Sequence, residues 1–95
     1  MAHATPTELA DIDDLLNVVR TWPGMKEKGV GVFYLRGKPF LHFHTQNGMR
    51  WADARQGKTW VPQIDIPFSA STTQKEMFLR TVREYFEDTV RYSRL

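Results

Sequence analysis

Ninety-five residues leave room for one domain, 1–95, with one modest core. An apolar share of 41% and an aromatic share of 13% argue against a disordered chain. The absence of cysteine removes disulfides, thiolate nucleophiles and cysteine-bound zinc together. No run approaches the ~18 apolar residues of a membrane span, and Met1-Ala2-His3-Ala4 lacks a signal-peptide core. The expectation is a soluble, cytoplasmic protein with residues 1–4 frayed. The net charge of +2 hides a basic middle, Met25 to Lys58, which carries Lys26, Lys28, Arg36, Lys38, Arg50, Arg55 and Lys58 against Glu27 and Asp53. Nucleic-acid domains usually show a denser basic cluster, so a solvated hairpin rim is the favoured reading.

In chain order, Thr5-Pro6-Thr7-Glu8 is a capping box with proline at the first helical position. Leu9, Ile12, Leu16 and Val19 then recur at helical spacing, with Leu15 beside them, until Trp22-Pro23-Gly24 stops the helix. Gly29 to Leu35 is β-branched and aromatic and predicts a strand; Arg36 to Pro39 turns, and Phe40 to Thr45 is a second strand. Asn47-Gly48 predicts a tight hairpin into a third strand, Met49 to Ala54, because both residues tolerate positive φ. Gln56-Gly57-Lys58 turns again, and Thr59 to Ile66 is a fourth strand. Pro62 cannot donate to a ladder, which makes that strand an edge or a bulged one. Two overlapping capping boxes, Ser71 to Gln74 and Thr73 to Glu76, open a last helix with Phe78, Val82, Tyr85 or Phe86, and Val90 on its buried stripe. The predicted fold class is α+β: a two-layer sandwich of helix, antiparallel meander of three to four strands, and helix, with both helices on one sheet face.

Strand alternation sorts the side chains. The Asn47-Gly48 hairpin pairs Thr45 with Arg50, His44 with Trp51, Phe43 with Ala52 and His42 with Asp53. Val30, Val32, Tyr34, Leu41, Phe43 and Ala52 form the expected core side. Gly31, Phe33, Leu35, Phe40, His42, His44, Met49, Trp51 and Asp53 form the outer side, too apolar to be left uncovered. A one-residue bulge in the first turn would instead send Phe33 and Leu35 to the core.

His42 and His44 therefore share a strand face, ~6–7 Å apart at the backbone, with Trp51 and Asp53 beside them. Two imidazoles and a carboxylate are the donor set of a zinc-class site, with Asp53 as a third ligand or as the group that orients His42. A structural reading of the same residues is a His44–Trp51 stack and a His42–Asp53 ion pair that hold the hairpin register. His42 with Asp53 also suits acid–base chemistry, but no nucleophile is placed beside them. Arg50, Arg55, Lys58 and Trp60, with Trp51, would serve a stacking nucleic-acid surface.

Leu15 to Phe40 resembles the first half of the small bacterial YjbR-like domains, through the apolar-Pro-Gly turn Trp22-Pro23-Gly24-Met25 and the Gly-Lys-x-Phe element Gly37-Lys38-Pro39-Phe40. The resemblance implies a bacterial protein with a compact α+β fold and a suggested link to DNA binding, and supplies no catalytic residue. Leu41-His42-Phe43-His44-Thr45 and Asp65-Ile66-Pro67-Phe68 look like elements of a luciferase-like bacterial domain of unknown function, in which they lie closer together than here.

These readings favour a non-catalytic binding or interaction module over an enzyme. Its candidate ligand or interface residues are His42, His44, Trp51, Asp53, Phe40, Phe33 and Met49. The partner would be an unknown protein, a small ligand or a second copy in a homodimer. No cofactor is required by the sequence, and a divalent metal such as zinc at His42, His44 and Asp53 is the alternative.

Overall fold

A computed structural model of the chain describes residues 2–93. The predicted capping box forms: Glu8 N–H donates to Thr5 Oγ1 at 3.2 Å and Thr5 N–H to Glu8 Oε1 at 2.9 Å. It opens α1 (Pro6–Leu9), which passes through a 3₁₀ turn (Ala10–Ile12) into α2 (Asp13–Arg20). A five-strand antiparallel meander follows: β2 (Met25–Gly29), β3 (Val32–Leu35), β4 (Lys38–Gln46), β5 (Met49–Gln56) and β6 (Thr59–Asp65). The chain closes with α3 (Thr72–Ser93), and a two-residue strand, β1 (Ala2–His3), pairs with β4. Of the two capping boxes before α3, the Ser71 one forms, with Gln74 N–H donating to Ser71 Oγ at 3.1 Å and Ser71 N–H to Gln74 Oε1 at 2.8 Å.

Leu9, Ile12, Leu15, Leu16 and Val19 meet Phe78, Val82 and Phe86 of α3 over Phe33, Leu35, Leu41, Phe43, Ala52 and Ala54 of the sheet in one core. Both helical segments thus lie on one face, as expected of a two-layer α+β fold. Each fully buried Leu, Phe or Val there contributes roughly 1.5–3 kcal/mol of transfer free energy. α3 buries Phe86 and leaves Tyr85 at the margin, and Thr89 extends the buried stripe.

The single strand expected over Gly29 to Leu35 is two strands. Val30-Gly31 is a turn, and Met25–Gly29 ahead of it is β2, a mostly polar edge strand whose sequence lacks the β-branched signal. Gly31 sits at φ +76°, and a Cβ there would lie 2.5 Å from Leu9 Cδ1, so this turn needs glycine for both backbone and space.

The face assignment of the first hairpin is inverted from the expectation. Phe33 pairs with Leu41 and Tyr34 with Pro39, which leaves Phe40 as the extra residue of a β-bulge. The bulge turns both Phe40 and Leu41 inward and carries Phe33 and Leu35 into the core, while Val30 becomes exposed and Val32 and Tyr34 are only half-buried. Phe33 and Phe40, expected on the outer interface, are core residues. The outer face therefore loses most of the apolar surface that called for a covering partner. The second hairpin keeps its expected register throughout, with Asn47 and Gly48 at φ +54° and +77°.

Arg50 is also displaced from its expected role. It points to the helical side and is 2% exposed. Its guanidinium donates to Glu8 O, Ile66 O and Pro67 O at 2.7–2.9 Å and forms a fork on Asp11 at 2.6 and 3.0 Å. The hydrogen bonds from Arg50 hold the Asp11 carboxyl below its ordinary range. Every donor is committed to joining α1, β5 and the link to α3, so Arg50 is unavailable to a nucleic acid.

Candidate metal centre on the outer sheet face

The long strand β4 carries His42 and His44 two residues apart, so both rings leave the sheet on the same side. β5 brings Trp51 opposite His44 and Asp53 opposite His42, as the turn chemistry requires. The rings gather closely: His42 and His44 centroids are 4.6 Å apart at 85°, and His44 and Trp51 are 5.8 Å apart. From β6, the Trp60 indole meets His42 edge-on at 5.2 Å, and the Arg55 guanidinium lies over the Trp60 ring, 4.7 Å from its centre.

Two residues take roles that the spacing did not foretell. Asp53 bonds diagonally to His44, not directly across to His42: His44 Nε2 lies 3.1 Å from Asp53 Oδ2. The reason lies in β6. Pro62 has no N–H, and the register of β5 with β6 slips between Ala52 and Ala54, leaving Gln63 at φ +57°. Gln63 N–H is thereby freed to donate to Asp53 Oδ1 at 3.0 Å, which fixes the carboxylate between the bulge and His44. Pro62 thus makes β6 both an edge strand and a bulged one.

The second surprise is His3. Of residues 1–4, expected to fray, Met1 lies outside the described residues, and residues 2 and 3 form β1 along the stretch of β4 that β3 does not reach. His3 pairs with His44, and Ala4 N–H donates to Phe43 O at 3.0 Å. The His3 ring lies 5.4 Å from His42 and 5.1 Å from His44. One ring nitrogen from each of His3, His42 and His44 lies within 4.8 Å of the other two. A tetrahedral zinc with Zn–N bonds of about 2.0–2.1 Å would set ligand nitrogens ~3.3 Å apart, so binding one here would require these rings to draw closer. The three groups that could hold a metal together are therefore His3, His42 and His44, and the Asp53 carboxylate lies behind His44, outside that group. No local motif marks His3; only the histidine count hints at it, since all three histidines of the chain converge.

The electrostatics suit a cation. His44 is 7% exposed, and with Nε2 engaged by Asp53 its Nδ1 is buried with no hydrogen-bond partner among the described residues. His42 Nδ1 is buried and unpartnered in the same way. Burial above all, and then His44, hold the His42 imidazole below its ordinary 6.5, with Asp53 opposing and His3 adding a smaller push. A neutral imidazole with a free lone pair is the form that binds a metal. A buried ring nitrogen without a partner costs about 1–3 kcal/mol, so the cluster has an unmet demand that an electrophile would satisfy.

The other expected site residues divide clearly. Trp51 is on this face but 6% exposed, and its Nε1 is also unpartnered. Met49 is 62% exposed at the hairpin end. Arg55 donates to Pro39 O at 2.9 Å and stacks on Trp60, and Lys58 sits in the next turn, 6.0 Å from the Tyr92 ring. The directly opposed His42–Asp53 ion pair that the register suggested is not formed, because the Asp53 carboxylate bonds His44 instead. Comparisons of the chain with protein-family models, curated proteins and solved structures find no match, so the arrangement of these side chains is what speaks for function.

Proposed function

We propose that the protein is a non-catalytic binding module whose outer sheet face holds a divalent transition-metal cation of the zinc class through His3, His42 and His44. The observation that supports this reading most is the gathering of one ring nitrogen each from His3, His42 and His44 within 4.8 Å, in a cluster where the Nδ1 atoms of His42 and His44 are buried and unpartnered. Imidazole nitrogens select zinc, copper, nickel or iron over calcium and magnesium, which want oxygen donors. Asp53 completes the carboxylate–histidine–metal relay: it holds Nε2–H of His44 and leaves Nδ1 as the ligand atom.

The test is calorimetric titration of the untagged protein with zinc chloride near pH 7.5, beside His42→Ala and the double variant His42→Ala/His44→Ala. One zinc per chain, weakened at least ~10-fold by the single change and lost in the double, is expected. Binding that is absent, or equal in all three proteins, would refute the reading.

A further inference from the structure

We infer that metal occupancy is read out by the docking of β1, so that the site acts as a metal-dependent latch on the N-terminal segment. This deepens the metal reading above and rests on it.

Three observations converge on β1. First, β4 is longer than its partner: β3 pairs with it only as far as Leu41, which leaves the edge from Phe43 to Thr45 to be matched by β1 alone. Second, the hold of β1 is slight. It is two residues long, it is followed by the single bond from Ala4 N–H to Phe43 O, and its one large side chain, His3, is exposed. So short a ladder scarcely offsets the entropy of ordering its residues. Third, His3 is the ligand that spans the gap. His42 and His44 are fixed on a central strand, whereas His3 reaches the site only when β1 lies in register against His44.

The linkage follows directly. A cation bound by all three imidazoles binds the docked state and not the undocked one, so it must favour docking by the ratio of its affinities for the two. Reciprocally, an undocked β1 leaves a two-histidine site of lower affinity. Released, β1 exposes the backbone groups of Phe43 to Thr45, a stretch of the β4 edge that β3 does not cover.

Amide hydrogen exchange by NMR on the full chain tests the latch, with zinc chloride as the probe. Saturating zinc should slow exchange of the Ala4 amide by about tenfold or more, while the Ala52 amide in the central ladder changes little. In His3→Ala, an exposed change that leaves the core intact, zinc should bind more weakly and leave Ala4 exchange unaltered. Zinc binding to the wild type with no change at Ala4 would overturn the latch and leave the metal site standing. Absence of zinc binding would overturn both. Equal Ala4 protection by zinc in the wild type and in His3→Ala would show that β1 responds to something other than its own imidazole, and would also refute the latch.

Discussion

Replacing Arg50 with methionine should cost about 3–5 kcal/mol of stability, because the structure makes this residue a buried fastener and not a surface cation. Methionine fills the stem of the side chain but leaves the carbonyls of Glu8, Ile66 and Pro67 without their donor, in positions where the guanidinium is fully enclosed. A buried acceptor left unmade costs about 1–3 kcal/mol, a cost borne in full at Ile66 O and in part at the half-buried Glu8 and Pro67 bonds. Asp11 loses its fork as well, though its side chain is 35% exposed and water restores part of that loss, which caps the total. For a domain of this size each kcal/mol is worth about 4–8 °C, so the midpoint should fall by at least ~12 °C. Arg50→Lys should recover little, since one ammonium cannot reproduce a planar fork and three further bonds. The assay is urea unfolding followed by tryptophan fluorescence, with Arg55→Met as the comparison. Arg55 has two exposed carbonyl contacts and should lose ~1 kcal/mol or less. Equal, small losses in both variants would refute the claim that Arg50 clamps α1 to the sheet.

Gly31→Ala should cost about 2 kcal/mol or more by urea melts, from the left-handed backbone plus the approach to Leu9, whereas Gly37→Ala, with open space around it, should cost only the backbone share of ~1–2 kcal/mol. Stability should fall in two steps as the solution is acidified. His42 is held low in the fold, so the unfolded chain takes up its proton first and stability declines as pH drops below about 6.5; Asp11 and Glu27, held low chiefly by Arg50 and Arg20, add a second decline below their ordinary 3.8 and 4.5. Denaturant midpoints from pH 8 to pH 3 read both steps, and His42→Phe should erase the upper one alone. Asp53→Asn should weaken zinc about 10–100-fold in a competition titration, by loosening His44; an unchanged affinity would show that the carboxylate plays no part in orienting the ligand.

How far the sequence speaks can be judged residue by residue. Turn chemistry is local and was readable: Asn47-Gly48 sets the β4–β5 register, so His42, His44, Trp51 and Asp53 fall on one side as alternation requires. Capping is local too, and the Thr5 box forms as written, while Ser71 and Thr73 compete on equal terms until packing decides. What fails is whatever depends on a partner distant in sequence. The β4 bulge at Phe40 arises because two adjacent aromatic and aliphatic side chains both gain by facing the helices, and one inserted residue inverts every face assignment in β3. β2 is polar and shows no strand period, and it is fixed by its pairing with β3. Arg50 looks like any basic residue in a hairpin until α1 and the link to α3 bring acceptors around it. His3 joins the site because β3 begins only at Val32, after the Val30-Gly31 turn, and so leaves part of β4 bare, and no pattern in residues 2 to 4 encodes that vacancy.

The proposed metal site has one decisive measurement: anomalous diffraction at the zinc edge from crystals of the untagged protein grown with equimolar zinc. A single strong peak is expected on the outer face of β4, bonded at about 2.0–2.1 Å to one nitrogen each of His3, His42 and His44, with Asp53 still on Nε2 of His44. A peak elsewhere, or His44 Nδ1 left facing no ion while zinc occupies the lattice, would contradict it.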